Sequence, residues 1–370
     1  MRSLVITAHD YRSRRKVNMH FIAAELSKYG QTSFFSCQYS FLSQLKSDPR
    51  SSLNHLANKV EVFDGVRCFL WKTFIHPINM RKTIFFPVEK MLFKRYVAYP
   101  SPVLVEWIKQ ADVVFFESGI APIFFELVQR LNPGAKTVYI ASDDLDTINV
   151  ASYVKSVFAQ VALKMDALCL TSRLMADGMP GLENCYVIPH GFDFSVEEHA
   201  DPSPYGPGLH AVSVGSMLFD PLFFVTASRL FPEVTFHIIG CGRGVHPGYG
   251  KNVVVHAEMP HRTTLPYIKH ATIGIAPYCS AEVPRYLSDT SMKLMQYDFF
   301  QLPAVCPASV VGDYVSRFGY TPGNADSIAH AMRAALSAPR LAPKRAPLRW
   351  SEVVERMLAP ATFADTRLGS

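Results

Sequence analysis

No CxxC pair occurs in this 370-residue chain, and its seven cysteines (Cys37, Cys68, Cys169, Cys185, Cys241, Cys279 and Cys306) are odd in number and widely spaced. A disulfide framework is therefore unsupported, no paired Cys/His pattern suits structural zinc, and a reducing compartment is expected. No apolar run reaches spanning length, and MRSLVITAHD turns strand-like within five residues, so neither a transmembrane helix nor a signal peptide is expected. A dinucleotide fingerprint is missing too. In GCGRGVHPGYG (240–250), GxGxxG started at Gly240 puts Val245 in the third glycine's place, and started at Gly242 puts Pro247 there. The segment is also not the first turn of the chain, which argues against an epimerase or dehydrogenase.

What is present is apolar and unevenly charged. A hydrophobic content of 49% supports two cores of ordinary domain size. Residues 1–100 hold 16 Lys/Arg against 6 Asp/Glu, a local +10 in a chain of net +6. The excess gathers at Arg12, Arg14, Arg15 and Lys16, then at Arg81, Lys82, Lys90, Lys94 and Arg95, and suits an anionic membrane or nucleic acid.

Along the chain, SLVITA (3–8), TSFFSCQY, VRCFLW, ADVVFFES (111–118), KTVYIAS (136–142), DALCLTS (166–172) and ENCYVIPHG (183–191) read as strands, with helices at 18–30 and around PIFFELVQRL. Residues 193–208, polar and proline-rich, read as a linker. A second series follows, with strands HAVSVGS, VTFHIIG, NVVVHAE, ATIGIAPY and LPAVCP and helices between them. The expected fold class is α/β, two Rossmann-like domains facing each other across a cleft: 1–192, a linker 193–208, 209–340, and a tail 341–370 whose helix WSEVVERMLAP packs back on the first domain.

Ligands in such sheets bind beyond the carboxyl ends of the strands. In the second half, GSMLFDP (215–221) is one such loop: Gly215 and Ser216 expose N–H groups, and Met217 and Asp220 follow, with Asp220 equally suited to be an N-cap. Glu258 follows NVVVHA and suits a ribose or a solvated surface. In APYCSAEVPRYLSDTSMKLMQYDFF, Thr290 and Ser291 cap a helix that places Met292 and Lys293 in its first turn, so that dipole and ammonium act together on a diphosphate. Tyr278 ends the preceding strand, and Gln296 lies one turn beyond Met292. A capping serine and a solvated lysine are the plainer reading.

In the first half, YIASDDLD ends a buried strand with Asp143, a carboxylate suited to deprotonate an acceptor hydroxyl or to cap a turn. His9 follows the first strand, with Arg12 nearby, and Glu117 ends another; each suits the acceptor side, and each suits a structural role as well. Residues 71–96 mix Trp71, Phe74, Ile84, Phe85 and Met91 with six basic residues, which fits an anionic membrane surface or a helix packing inward with a basic outer face.

The segments TAHD, FESGIA, TINVASY, HAVSVGSMLFDP, HPGYG, GIAPY, SMKLMQYDFF and SRFGYTPGNADS, in that order, resemble glycosyltransferase family 70, the glucuronosyltransferases of xanthan-type polysaccharide synthesis. The resemblance implies the GT-B fold, no cofactor and no metal, and transfer of glucuronic acid from UDP-glucuronate, with inversion, to the terminal mannose of a polyprenyl-diphosphate-linked oligosaccharide. It implies a peripheral site on the cytoplasmic face of the bacterial inner membrane. By the family pattern Asp143 is the base, and Met217, Asp220, Glu258, Tyr278, Met292, Lys293 and Gln296 surround the donor. The block SDDLD is more acidic than the family's SDGLS. Retaining enzymes of this fold carry two glutamates eight positions apart, whereas Glu282 is followed at that distance by Thr290. A nucleic-acid module would leave the two-domain pattern and the diphosphate-like helix start unused; another UDP-sugar transferase and a noncatalytic polysaccharide-binding protein are the alternatives.

Overall fold

A computed structural model describes residues 1–13, 16–45, 48–81, 83–279, 283–343 and 346–368. Arg14, Arg15, Lys82 and Glu282 of the sequence reading lie outside them. The chain divides into two compact units, Met1–Gly191 with Leu348–Ser370, and Phe192–Pro347. Residues 193–208, read as a linker, thus belong to the second unit. A short 3-10 turn at Phe194–His199 explains this: Phe194 packs edge-on against Phe299, with ring centroids 5.7 Å apart. Residues 341–347 of the tail go with that unit as well.

The first unit is built on β1 (Arg2–Thr7), β2 (Gln31–Ser40), β3 (Val60–Phe63), β4 (Val66–Thr73), β5 (Val113–Glu117), β6 (Lys136–Ala141), β7 (Ala167–Leu170) and β8 (Cys185–Val187). Their order is β3-β4-β2-β1-β5-β6-β7-β8, with only the β3–β4 pair antiparallel. β1, β5 and β6 are buried along nearly their whole length, which is why they read as unbroken apolar runs rather than alternating ones. The direction of winding reverses between β1 and β5, so the loops after these strands diverge and leave a crevice at their carboxyl ends.

A short ladder pairs β9 (Gly191–Phe192) with β16 (Leu348–Arg349). The helix Trp350–Leu358 then sets Trp350, Val353, Val354 and Met357 into the core of the first unit beside Met19, Ile22 and Leu26. Trp350 stacks on Phe21 with centroids 5.0 Å apart. Gly191 is required there, because a Cβ at that position would lie 2.5 Å from the Trp350 ring.

The second unit is an all-parallel sheet of β10 (Leu209–Val214), β11 (Val234–Ile239), β12 (Val253–His256), β13 (Ile273–Ile275), β14 (Ala304–Pro307) and β15 (Arg317–Tyr320). The order is β12-β11-β10-β13-β14-β15, with its own reversal between β10 and β13. Phe223, Phe224, Phe236, Ile238, Ile328 and Met332 fill this core. No helix among the described residues is long and apolar enough to cross a membrane.

Candidate active site

The carboxyl ends of β1, β5 and β6 bring three sequence-predicted residues, His9, Glu117 and Asp143, to one edge of the first sheet. β5 ends in Glu117, which is buried; Thr7 at the end of β1 donates a short hydrogen bond to its Oε2, and Ser142 after β6 donates to Oε1 at 3.4 Å. His9 Nε2 lies 3.7 Å from the same Oε1, and the His9 N–H donates to Thr7 Oγ1 at 3.0 Å. Burial raises the Glu117 carboxyl above its ordinary range, opposed by His9, Thr7 and Ser142. Asn18 Nδ2 donates to Ser142 Oγ at 2.7 Å, tying the first helix into the same network.

Asp143 is next along this edge. Its N–H donates to Ser118 Oγ at 3.1 Å, so the residue after β5 fixes the backbone of the residue after β6. Its side chain is half-buried, and Asp143 with Tyr139, Asp144, Lys155 and Gly178 lines a cavity. Asp144 instead closes its own turn, Oδ1 accepting from the N–H groups of Asp146 (3.0 Å) and Thr147 (2.9 Å). Asp146, exposed, pairs with Lys155.

Arg12 lies apart from these groups. Its side chain is 4% exposed and donates to both Asp10 oxygens, at 2.9 and 2.8 Å, and to Glu61 at 3.0 Å. Burial works to raise the Asp10 carboxyl, and the bonds and charge of Arg12 outweigh it and hold the group below its ordinary value. Val17 N–H donates to His20 Nδ1 at 3.1 Å, which puts the ring proton on Nε2, and that N–H donates to the Asp10 carbonyl at 2.8 Å. Arg12 and His20 therefore brace the loop that carries His9.

In the second unit the loops after β10 and β13 are laced together. Asp220 N–H donates to the Pro277 carbonyl at 2.8 Å and Cys279 N–H to the Leu218 carbonyl at 2.6 Å. These bonds hold Leu218 at φ 47°, in the left-handed region, and Gly215, whose N–H donates to the Ile239 carbonyl at 2.9 Å, lies there too at φ 89°. Asp220 is the N-cap of the helix Pro221–Leu230, accepting from Leu222 N–H at 2.9 Å. Met217 is exposed in the same loop, and Glu258 is exposed after β12, beside Gly240.

Ser291 caps the helix Met292–Phe299, its Oγ accepting from Leu294 N–H at 3.3 Å. The Tyr278 hydroxyl meets the same Oγ at 2.5 Å, and its ring faces Lys293, whose Nζ lies 5.5 Å from the centroid. The stem of Lys293 is half-buried while Nζ itself is closed off from solvent, with no hydrogen-bond partner among the described residues. Burial pushes its pKa down to about 7, against a small opposing effect of Cys241. Met292 is exposed at the start of the helix, and one turn on, Gln296 Nε2 donates to His261 Nε2 at 2.7 Å. Among the described residues no cluster of His, Cys, Asp and Glu is placed to hold a metal ion.

Sequence reasoning missed Tyr139, Lys155, Thr7, Ser142 and His261. Thr7 and Ser142 carried a usable signal, since each ends or follows a buried strand; Tyr139 and Lys155 meet Asp143 only through tertiary packing.

Residues 5–171 match the family described as "Glucuronosyltransferase GumK, N-terminal domain". The chain is 53% identical over 365 residues to the UDP-glucuronate:glycolipid 2-beta-glucuronosyltransferase of Xanthomonas campestris pv. campestris, covering 99% of this chain and 91% of that protein. Among solved structures it resembles an α,α-trehalose-phosphate synthase of Burkholderia xenovorans (TM-score 0.62, 11% identity, 97% of this chain and 95% of that one). It also resembles the sucrose-phosphate synthase of Thermosynechococcus elongatus (TM-score 0.57, 12% identity, 97% and 94%). At such identities the structural likeness speaks for the fold alone, and that fold is GT-B.

Proposed function

On the premise that the chain belongs to the GumK glucuronosyltransferase family, we propose that it transfers glucuronic acid from UDP-glucuronate to the terminal mannose of a polyprenyl-diphosphate-linked oligosaccharide, with inversion, in the synthesis of an acidic exopolysaccharide. The observation that carries this reading is the buried Lys293 ammonium in the first turn of a helix, which has no hydrogen-bond partner among the described residues and lies where the helix dipole also favours an anion.

In this reading Asp143 takes the proton of the acceptor hydroxyl as its oxygen attacks the anomeric carbon. The bond from that carbon to the diphosphate breaks, and the negative charge developing on UDP is met by Lys293 and the N–H groups that open its helix. Ser291 and Tyr278 hold that helix start, Met217, Asp220 and Met292 shape the donor loops, Glu258 meets the ribose, and Gln296, oriented by His261, meets the sugar. His9 and Glu117 belong to the acceptor side, with Arg12 as the brace of the His9 loop. Incubation with a panel of UDP-sugars and a mannose-terminated lipid-diphosphate oligosaccharide tests the whole: only UDP-glucuronate should yield product in quantity.

The acceptor calls for a membrane surface. On the helix Phe86–Ala98, Glu89, Phe93 and Tyr96 face inward, and Glu89 accepts from the N–H groups of Met80 (3.1 Å) and Tyr153 (2.8 Å). The outer face shows Val88 and Met91 beside Lys90, Lys94 and Arg95, near the exposed Ile84 (78%) and Phe85, and Phe74 on the preceding loop is 90% exposed. Apolar groups interleaved with cations suit an interfacial site on the anionic cytoplasmic leaflet of the bacterial inner membrane. Sedimentation with anionic vesicles should exceed that with neutral ones, and joint Phe74→Ser and Ile84→Ser substitution should weaken it roughly tenfold or more; equal binding to both vesicle types would contradict the charge argument.

A further inference from the structure

The loop that carries Asp143 runs directly into the helix Ser152–Val161, and that helix has no side-chain cap of its own. Its N-cap position is Ala151, whose side chain cannot accept a hydrogen bond, so the first N–H groups of the helix need an acceptor from elsewhere. Glu89 supplies one. Its carboxylate, 3% exposed, projects inward from the helix Phe86–Ala98; Oε1 accepts from Tyr153 N–H at 2.8 Å and Oε2 from Met80 N–H at 3.1 Å. Burying a carboxylate costs free energy, and here two backbone donors and the positive end of a helix dipole offset that cost. One turn on from Glu89, the Phe93 ring meets the Tyr153 ring with centroids 5.7 Å apart.

A second strut joins the same two segments. Asn79 Nδ2 donates a short hydrogen bond to the Asn149 carbonyl, and Asn149 stands at φ 51°, in the left-handed region that asparagine tolerates. From Asp144 onward the loop is bonded to itself: Ile148 N–H donates to the Asp144 carbonyl at 3.2 Å, Asn149 N–H to that of Asp146 at 3.0 Å and Val150 N–H to that of Leu145 at 3.0 Å. A loop laced in this way moves as one piece, and Asn79 and Glu89 hold its downstream end. Both belong to the stretch of chain whose outer face shows Phe74, Ile84, Phe85 and Met91 among cations.

We propose that Glu89 is a positioning residue for the Asp143 loop, and that through it the seating of the helix Phe86–Ala98 on an anionic bilayer orders that loop for transfer. A bilayer restrains the helix, and a contact shared by two elements couples their order in both directions. The inference rests on the roles of Asp143 and of the membrane face given above, and the experiment separates it from them. Amide hydrogen exchange over residues 143–153, measured on the full chain with and without phosphatidylglycerol vesicles, needs no substrate. In the wild-type chain the vesicles should slow this exchange. Glutamine offers one acceptor oxygen where Glu89 offers two, so Glu89→Gln sets an amide N–H against one of the two backbone donors. Exchange over 143–153 should then run roughly tenfold faster and respond little to vesicles, with sedimentation on the vesicles retained. With a mannose-terminated lipid-diphosphate oligosaccharide on the same vesicles, kcat should fall about tenfold while acceptor KM and UDP affinity stay near wild-type. Asn79→Ala removes the other strut from the loop without emptying a buried site, and should shift exchange and kcat in the same direction if Glu89→Gln fails to fold. Wild-type exchange indifferent to vesicles, or exchange and kcat unaltered in both variants, would overturn the coupling while leaving glucuronosyl transfer intact. Exchange raised throughout the first unit, with Tm, KM and UDP affinity all impaired, would overturn it too, since that pattern marks a general structural role. If vesicles order residues 143–153 through Glu89 but the wild-type chain transfers nothing from UDP-glucuronate, the coupling stands and the donor reading fails.

Discussion

Asp143→Asn should lower the turnover of glucuronosyl transfer by roughly 10²–10⁴-fold, the range by which a positioned general base accelerates such a step. The change keeps the size of the side chain and leaves the Asp143 N–H bond to Ser118 Oγ untouched, so the loop should hold its shape. What is lost is the ability to accept a proton. UDP affinity should be unaltered, because no donor-side residue of the second unit depends on Asp143 in this account. Single-turnover assays at saturating donor and acceptor separate turnover from binding; transfer at the wild-type rate would remove Asp143 from the mechanism. Glu117, the other carboxylate at this edge, is a poorer candidate base: it is buried and already accepts from Thr7 and Ser142.

Lys293→Met should act on the other substrate. Charge-assisted hydrogen bonds contribute about 1.5–3 kcal/mol, so affinity for UDP-glucuronate should fall roughly 10–100-fold. The sign of the pH dependence follows from the lowered pKa of about 7. Below pH 7 the ammonium is charged before the donor arrives. Above it, binding must draw a proton from solvent, so affinity in the wild-type protein should decline as pH rises from 7, by up to tenfold per unit, with proton uptake visible in calorimetry across buffers. The variant should lose that slope.

The same group opposes folding of the empty protein. The unfolded lysine titrates near 10.5 and the folded one near 7, so at neutral pH and below the folded state carries a penalty, of order 4 kcal/mol at pH 7. That penalty is relieved as pH climbs toward the unfolded value. Lys293→Met should therefore raise the Tm of the ligand-free protein while lowering donor affinity, a pairing that a solvated surface lysine would not produce.

How much of this was legible in the sequence depended on whether the decisive contacts were local. The buried parallel strands were, because β1, β5 and β6 are continuous apolar runs with no alternation to confuse them. So was the start of the Lys293 helix, whose cap at Ser291 lies two residues away. The exposed hairpin strand β3 was not read, since Val60 and Val62 face outward and leave no buried pattern. β15 was missed as well: four residues centred on a glycine, with a buried arginine that pairs with Asp298, look like a loop. In the sequence Asp220 suits a cap and a ligand group alike, and its bond to Leu222 N–H shows that it caps. Arg12 looked like an anion site in the sequence because its two carboxylate partners, Asp10 and Glu61, come together only when β3 joins the sheet. That the Tyr139 hydroxyl and the Lys293 ammonium have no hydrogen-bond partner among the described residues could not be read at all, because such a lack shows only once the surrounding side chains have been placed.

The most direct test of the central claim is the anomeric configuration of the product formed from UDP-glucuronate and a mannose-terminated lipid-diphosphate oligosaccharide, determined by NMR for the wild-type protein and for Asp143→Asn. Direct displacement by a hydroxyl activated at Asp143 predicts a β-linked glucuronosyl product from the α-linked donor, and next to none from the variant. An α-linked product, or a β-linked one made equally well without the Asp143 carboxylate, would contradict it.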